Sequence, residues 1–203
     1  MDVEVEKPHL PHPTGHRHID FVLPISALFI SFVSIAIAWH HGQVMQELVH
    51  QNERLVEANS LPYLQVSGNM IDHRLLLQAA NEGVGPAKIM SAEIRVDGRP
   101  VQSLDALIDA CCGKGDYADL YSSSLEGRMV RPGDNVAFVD FRETPANRPQ
   151  LLALNAARRA GRIQTRLCYC SVFNDCWQAR SDDATPNAVS QCVAPERPYM
   201  DRP

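Results

Sequence analysis

The chain has 203 residues, the length of one domain with room for appendages. Apolar residues make up 45% and charged residues 21%, which excludes wholesale disorder. Lys and Arg number 19 against 24 Asp and Glu, a net charge of -5 that argues against nucleic acid as a partner; a mean hydropathy of -0.21 excludes a multi-span membrane protein but leaves room for one span.

Residues 1–20 carry three prolines and the histidines His9, His12, His16 and His18 with little periodicity, and predict a disordered cytoplasmic tail. Weak metal binding by those histidines is the alternative. Phe21 to Trp39 follows, with no charge and three serines whose hydroxyls can bond back to a helix. Such a run predicts a transmembrane helix over 21–39, because hydrocarbon offers no partner to backbone polar groups. Pro24 is expected in the first turn, where a missing N–H costs little. Ala36-Ile37-Ala38 leaves a cleaved signal peptide as the rival, but the preceding segment is long and not positive, so the expectation is a retained anchor in the bilayer. Lys7 and Arg17 precede the span and Arg54 alone follows closely, which places the N-terminus in the cytoplasm.

Residues 40–60 predict a helical stalk. Met45, Leu48, Asn52, Leu55 and Asn59 fall at heptad spacing, so the stalk stands either alone or paired with a second copy as a short coiled coil, with asparagine fixing the register. Ser60-Leu61-Pro62 ends it.

From Pro62 the pattern turns to period two. Strands are predicted at 63–70, 75–81, 87–96, 117–130, 135–141, 163–172 and 176–180, with short helices at 102–112 and 148–160 and a tail after Ser181 tied down by Cys192. Seven short strands with two inserted helices over 62–203 predict a mainly β domain, an antiparallel Ig-like β-sandwich.

Leu77-Gln78-Ala79-Ala80-Asn81-Glu82-Gly83-Val84-Gly85-Pro86-Ala87, followed by Val96-Asp97-Gly98, resembles the extracytoplasmic β-domains of uncharacterised bacterial proteins anchored by one N-terminal helix. In those an N-x-G-x-G-P-A turn joins two sandwich strands. Tyr169 to Trp177 is similar to a late hairpin in such proteins. The resemblance covers about a third of the chain, implies the anchor and the sandwich, and carries over no catalytic residue.

Cys111, Cys112, Cys168, Cys170, Cys176 and Cys192 all follow the span. An even number on one side points to an oxidising compartment, the bacterial periplasm, and to disulfides. Cys170 and Cys176 flank one turn and are the leading pair; Cys111 or Cys112 could join Cys168 or Cys192, and among the 15 connectivities of six cysteines the sequence does not choose. Thiolates of Cys168, Cys170 and Cys176 around copper or zinc are the alternative. The sequence holds no nucleophile elbow, no H-E-x-x-H and no phosphate-cradling glycine loop. Asp72 and His73 are adjacent, which on a strand would point them to opposite faces, and Ser122-Ser123-Ser124 reads as exposed polar chain. The expectation is therefore a non-catalytic, cofactor-free accessory or interaction protein of the inner membrane, with a membrane or periplasmic protein as partner. A periplasmic copper or thiol-redox carrier or sensor is the alternative.

Overall fold

The computed structural model describes residues 17–114 and 119–200. The chain divides into two units, Met1–Arg54 and Leu55–Pro203. Residues 1–16 of the expected tail, and the side chains of His9, His12, His16 and His18, lie outside the described residues.

Helix α1 runs unbroken from Arg17 to Ala58, 42 residues or about 63 Å at 1.5 Å per residue. It begins before the apolar run, so Pro24 sits inside the helix rather than in its first turn and forgoes one i→i−4 bond. The three serines turn inward: Ser26 Oγ donates to the Leu23 carbonyl at 2.9 Å, Ser31 to Ala27 at 2.8 Å and Ser34 to Ile30 at 2.8 Å. No hydroxyl of the run therefore asks water for a partner. Every side chain from Phe21 to Ala58 is exposed, with Phe32 at 78% and Trp39 at 73%. From Phe21 to Trp39 that uncovered surface is apolar all round. Among the described residues this one helix is long and apolar enough to cross a membrane. It ends at Ala58, so Asn59 of the heptad series lies one residue beyond it, though its N–H still donates to the Leu55 carbonyl at 3.0 Å.

The second unit contains antiparallel strands in two sheets. The first has the order β1-β2-β7-β5, built from Leu64–Ile71, Arg74–Asn81, Asn135–Arg142 and Leu120–Ser122. The second has the order β10-β9-β8-β3-β4, from Asn187–Val189, Cys176–Arg180, Ile163–Cys170, Ala87–Val96 and Arg99–Val101; β6, Met129–Val130, pairs with the start of β3. Helices α2, Leu104–Cys112, and α3, Arg148–Arg159, are the two insertions. Of the strand expected over 117–130, residues 117–118 lie outside the described residues, and 119–130 do not form one strand. Residues 120–122 pair with β7 in the first sheet, and 129–130 pair with β3 in the second, so the chain changes sheets between them. Ser122 and Ser123 are half-buried rather than exposed, because their hydroxyls donate to the Phe138 and Ala137 carbonyls of β7.

Period-two burial is clearest on β2, where Leu75, Leu77, Ala79 and Asn81 point inward. One hydrophobic cluster takes Leu64, Leu75 and Phe141 from the first sheet, Ile89, Ile94 and Leu167 from the second, Leu107 from α2 and Leu151 from α3. Two-residue turns with positive φ, Asp72-His73 and Asp97-Gly98, close the β1–β2 and β3–β4 hairpins. Asp72 and His73 thus lie in a turn, not on a strand. The His73 ring bonds Glu143 at 2.7 Å instead of pairing with Asp72.

The Asn81-to-Ala87 turn has a structural task. Asn81 is buried; its Nδ2 donates to the carbonyls of Gly85 at 2.8 Å and Val130 at 3.0 Å, and its Oδ1 accepts the N–H groups of Tyr63 and Gly83 at 3.1 Å each. Gly83 and Gly85 let the turn lie against the segment that leaves α1: a Cβ on Gly85 would stand 1.9 Å from the Ser60 carbonyl oxygen.

Candidate functional site: the cysteine face of the second sheet

A register shift on β3 between Ile89 and Ser91 sets the geometry of this face. It lets Ile89 and Ala92 both enter the core, and sends Ser91, Glu93 and Arg95 to the outer face. Beside them β8 presents Gln164, Arg166, Cys168 and Cys170, and β9 presents Cys176, Gln178 and Arg180, as alternation requires.

The structure pairs Cys170 with Cys176 and Cys168 with Cys192 on this face. Cys111 and Cys112, at the end of α2, pair with each other. The link from Cys111 or Cys112 to Cys168 or Cys192, one of the pairings the sequence left open, is absent, since Cys168 is bonded to Cys192. Cys170 Sγ also stands 3.7 Å from Cys192 Sγ. The sulfurs of Cys170, Cys176 and Cys192 lie within 4.8 Å of one another. The trio that could hold a soft metal ion therefore contains Cys192, not Cys168.

The residues after β10 run over this face as a strap. Cys192 pins one end to β8. Tyr199 pins the other: its N–H donates to the Ala92 carbonyl at 2.9 Å, its buried ring joins the core, and its hydroxyl meets Ser122 Oγ at 3.1 Å. Between the anchors, Val193 to Arg197 roof a cavity of about 600 Å³ whose floor includes Ser91, Glu93, Arg95, Arg166, Cys168 and Gln178. Glu93 is only 7% exposed, and its carboxylate accepts from Arg95 Nη2 at 2.9 Å with Arg166 Nη1 at 3.8 Å. Paired charges of this kind are held in place by the cost of leaving either one alone.

On the inner side of the same hairpin, Tyr169 stacks on Trp177 with ring centroids 5.8 Å apart, and its hydroxyl accepts the Leu64 N–H at 3.2 Å. Burial pushes the Tyr169 phenol up to about 12, against a smaller opposing effect of the Leu64 N–H. It stays a neutral group that links the two sheets.

The heptad residues Met45, Leu48, Asn52 and Leu55 lie on the exposed α1 surface, 61% exposed at Met45 and 53% at Leu48. Cys192 as the third member of the sulfur trio, and the tail as a roof, escaped the sequence reading. The spacing from Cys192 to Cys168 carries no signal of its own, and Tyr199 lies in a stretch without periodicity. No protein-family model matches the chain, and neither does any curated protein.

Proposed function

We propose that the chain is a single-pass membrane anchor that displays an Ig-like β-sandwich outside the cytoplasm and acts there without catalysis, as an interaction or accessory subunit of a cell-envelope or membrane complex. The observation that carries this reading is the uncovered, charge-free helix surface from Phe21 to Trp39, followed by a domain that holds all six cysteines in pairs. An apolar sleeve calls for lipid, and paired cysteines call for an oxidising compartment. The strand order supports the sandwich: β1-β2-β7-β5 against β9-β8-β3-β4 repeats the A-B-E-D and G-F-C order of immunoglobulin domains, with β4 as an added C′ strand. The resemblance of the Asn81–Ala87 turn to anchored extracytoplasmic domains points the same way. The partner is a membrane or periplasmic protein.

The test is a topology reporter fused after Pro203, with a mild-detergent pull-down of the native chain. Reporter activity on the extracytoplasmic side, and one membrane or envelope protein co-purifying in fixed ratio, are the expected results. Activity confined to the cytoplasm overturns the topology, and a chain that purifies alone overturns the accessory role.

A thiol-redox or soft-metal carrier is the second reading, favoured by the sulfur trio of Cys170, Cys176 and Cys192. Thiol titration of the native protein separates a soft-metal carrier from a stapled scaffold, because the carrier shows several reactive thiols and the scaffold almost none.

A further inference from the structure

Two bridges lie side by side on the outer face of β8 and β9, and a single sulfur stands between them. Cys168 and Cys170 project from one face of β8, two residues apart. Cys192 is bonded to the first and lies 3.7 Å from the sulfur of the second. Cys168, Cys170 and Cys176 are 5%, 7% and 8% exposed, whereas Cys192, on the strap, is half-buried. Cys192 is therefore the most exposed residue of the four.

We propose that this cluster is a thiol–disulfide exchange site for an extracytoplasmic dithiol, in which Cys192 is handed from Cys168 to Cys170. This rests on the oxidised, extracytoplasmic reading given above. One thiolate of the donor attacks Cys192 Sγ; the Cys168–Cys192 bond breaks, and Cys168 leaves as a thiolate that takes up a proton. The donor's second thiol closes on its first, leaving the donor as an internal disulfide and Cys192 as a thiolate. Cys192 then attacks Cys170 Sγ; the Cys170–Cys176 bond breaks, and Cys176 departs and takes up the second proton. Two electrons and two protons pass from donor to protein, one bridge, Cys170–Cys192, remains of the two on this face, and no other reactant enters.

Two features favour the transfer over release of the tail. The strap is held on both sides of Cys192, by pairing of Asn187–Val189 with β9 and by the Tyr199 anchor. The freed sulfur therefore stays beside Cys170 at high effective concentration. The tether point moves two residues along β8, about 6.6 Å.

The experiment uses the full chain in mild detergent. Peptide mapping without reduction first reads the untreated bridges; free thiols at Cys168, Cys170, Cys176 and Cys192 overturn both the oxidised reading and this proposal. With the bridges present, graded dithiothreitol from one to three equivalents is followed by acid quench, alkylation and mapping. The expected result is a Cys170–Cys192 peptide, several-fold more abundant than any other bridge among Cys168, Cys170, Cys176 and Cys192 in chains alkylated at Cys168. Chains alkylated at Cys168 and Cys192 that keep Cys170–Cys176 overturn the exchange and leave the anchor reading standing. The paired variant Cys168→Ser with Cys176→Ser is the second measurement. Oxidation should link Cys170 to Cys192, and recovery of both as thiols from folded variant overturns the proposal.

Discussion

The side-chain oxygen of Asn81 accepts the backbone N–H of Tyr63 at 3.1 Å, and so joins the end of β2 to the segment that leaves α1. The other end of the same amide bonds the Gly85 and Val130 carbonyls. One buried side chain thus holds the domain entrance, the β2–β3 turn and β6 in register.

Asn81→Ala leaves four backbone groups without that partner. A buried group that loses its hydrogen bond costs about 1–3 kcal/mol, and some of these groups can recruit water. Urea denaturation should show a loss of about 3 kcal/mol, with no change in the helix signal of α1. A loss below about 1 kcal/mol would mean that the turn holds itself without the amide.

The two bridges on the outer face differ in the loop they close, with sequence separations of 24 for Cys168–Cys192 and 6 for Cys170–Cys176. In the chain-entropy model these correspond to about 3.5 and about 2.4 kcal/mol. Thermal denaturation of the paired alanine variants should therefore rank removal of Cys168 and Cys192 as the more costly. Equal or reversed losses would show that the strap is held by Tyr199 rather than by the bridge.

Acid should weaken the domain through Asp140. Its carboxylate accepts from Arg74 Nε at 2.6 Å and from Nη2 as well, and this bonding holds its pKa below the usual range despite partial burial. A depressed carboxylate binds protons more readily in the unfolded chain. Its stabilisation is complete above the ordinary aspartate value of about 3.9 and is lost as pH falls through the lower folded value. Urea midpoints measured from pH 6 to pH 2.5 should fall below about pH 4, less steeply in Asp140→Asn. Parallel curves would place the acid-sensitive group elsewhere.

The proposed anchor would confine two copies to one plane, where the uncovered Met45, Leu48, Asn52 and Leu55 decide between a paired and an unpaired stalk. A cysteine placed at Leu55, in a background lacking the native cysteines, should give a disulfide-linked dimer on oxidation. Leu48→Asp should abolish it and leave the domain's unfolding unchanged. No dimer band, with a known dimer as positive control, would leave a monomeric stalk.

Composition and local pattern carried the long-range plan. A charge-free run of apolar residues specifies a long helix, because every backbone bond can be satisfied within it. Alternation specified β2 and the β8–β9 hairpin, since Leu75, Leu77 and Ala79 must share one face for any core to form. Cys170 and Cys176 flank a turn, so their proximity is a local property as well.

Folding settled what depends on contacts distant in sequence. The split of 119–130 into pieces of two sheets arises because its partners, β7 and β3, belong to different sheets. The outward turn of Glu93 follows from a one-residue slip on β3, which no alternation pattern announces and which reverses the facing of everything after it. The partner of Cys192 and the burial of Tyr199 depend on a tail without periodicity finding the gap that β4 and β6 leave along β3. There the unpaired Ala92 carbonyl needs a donor, and only the assembled sheet creates that need.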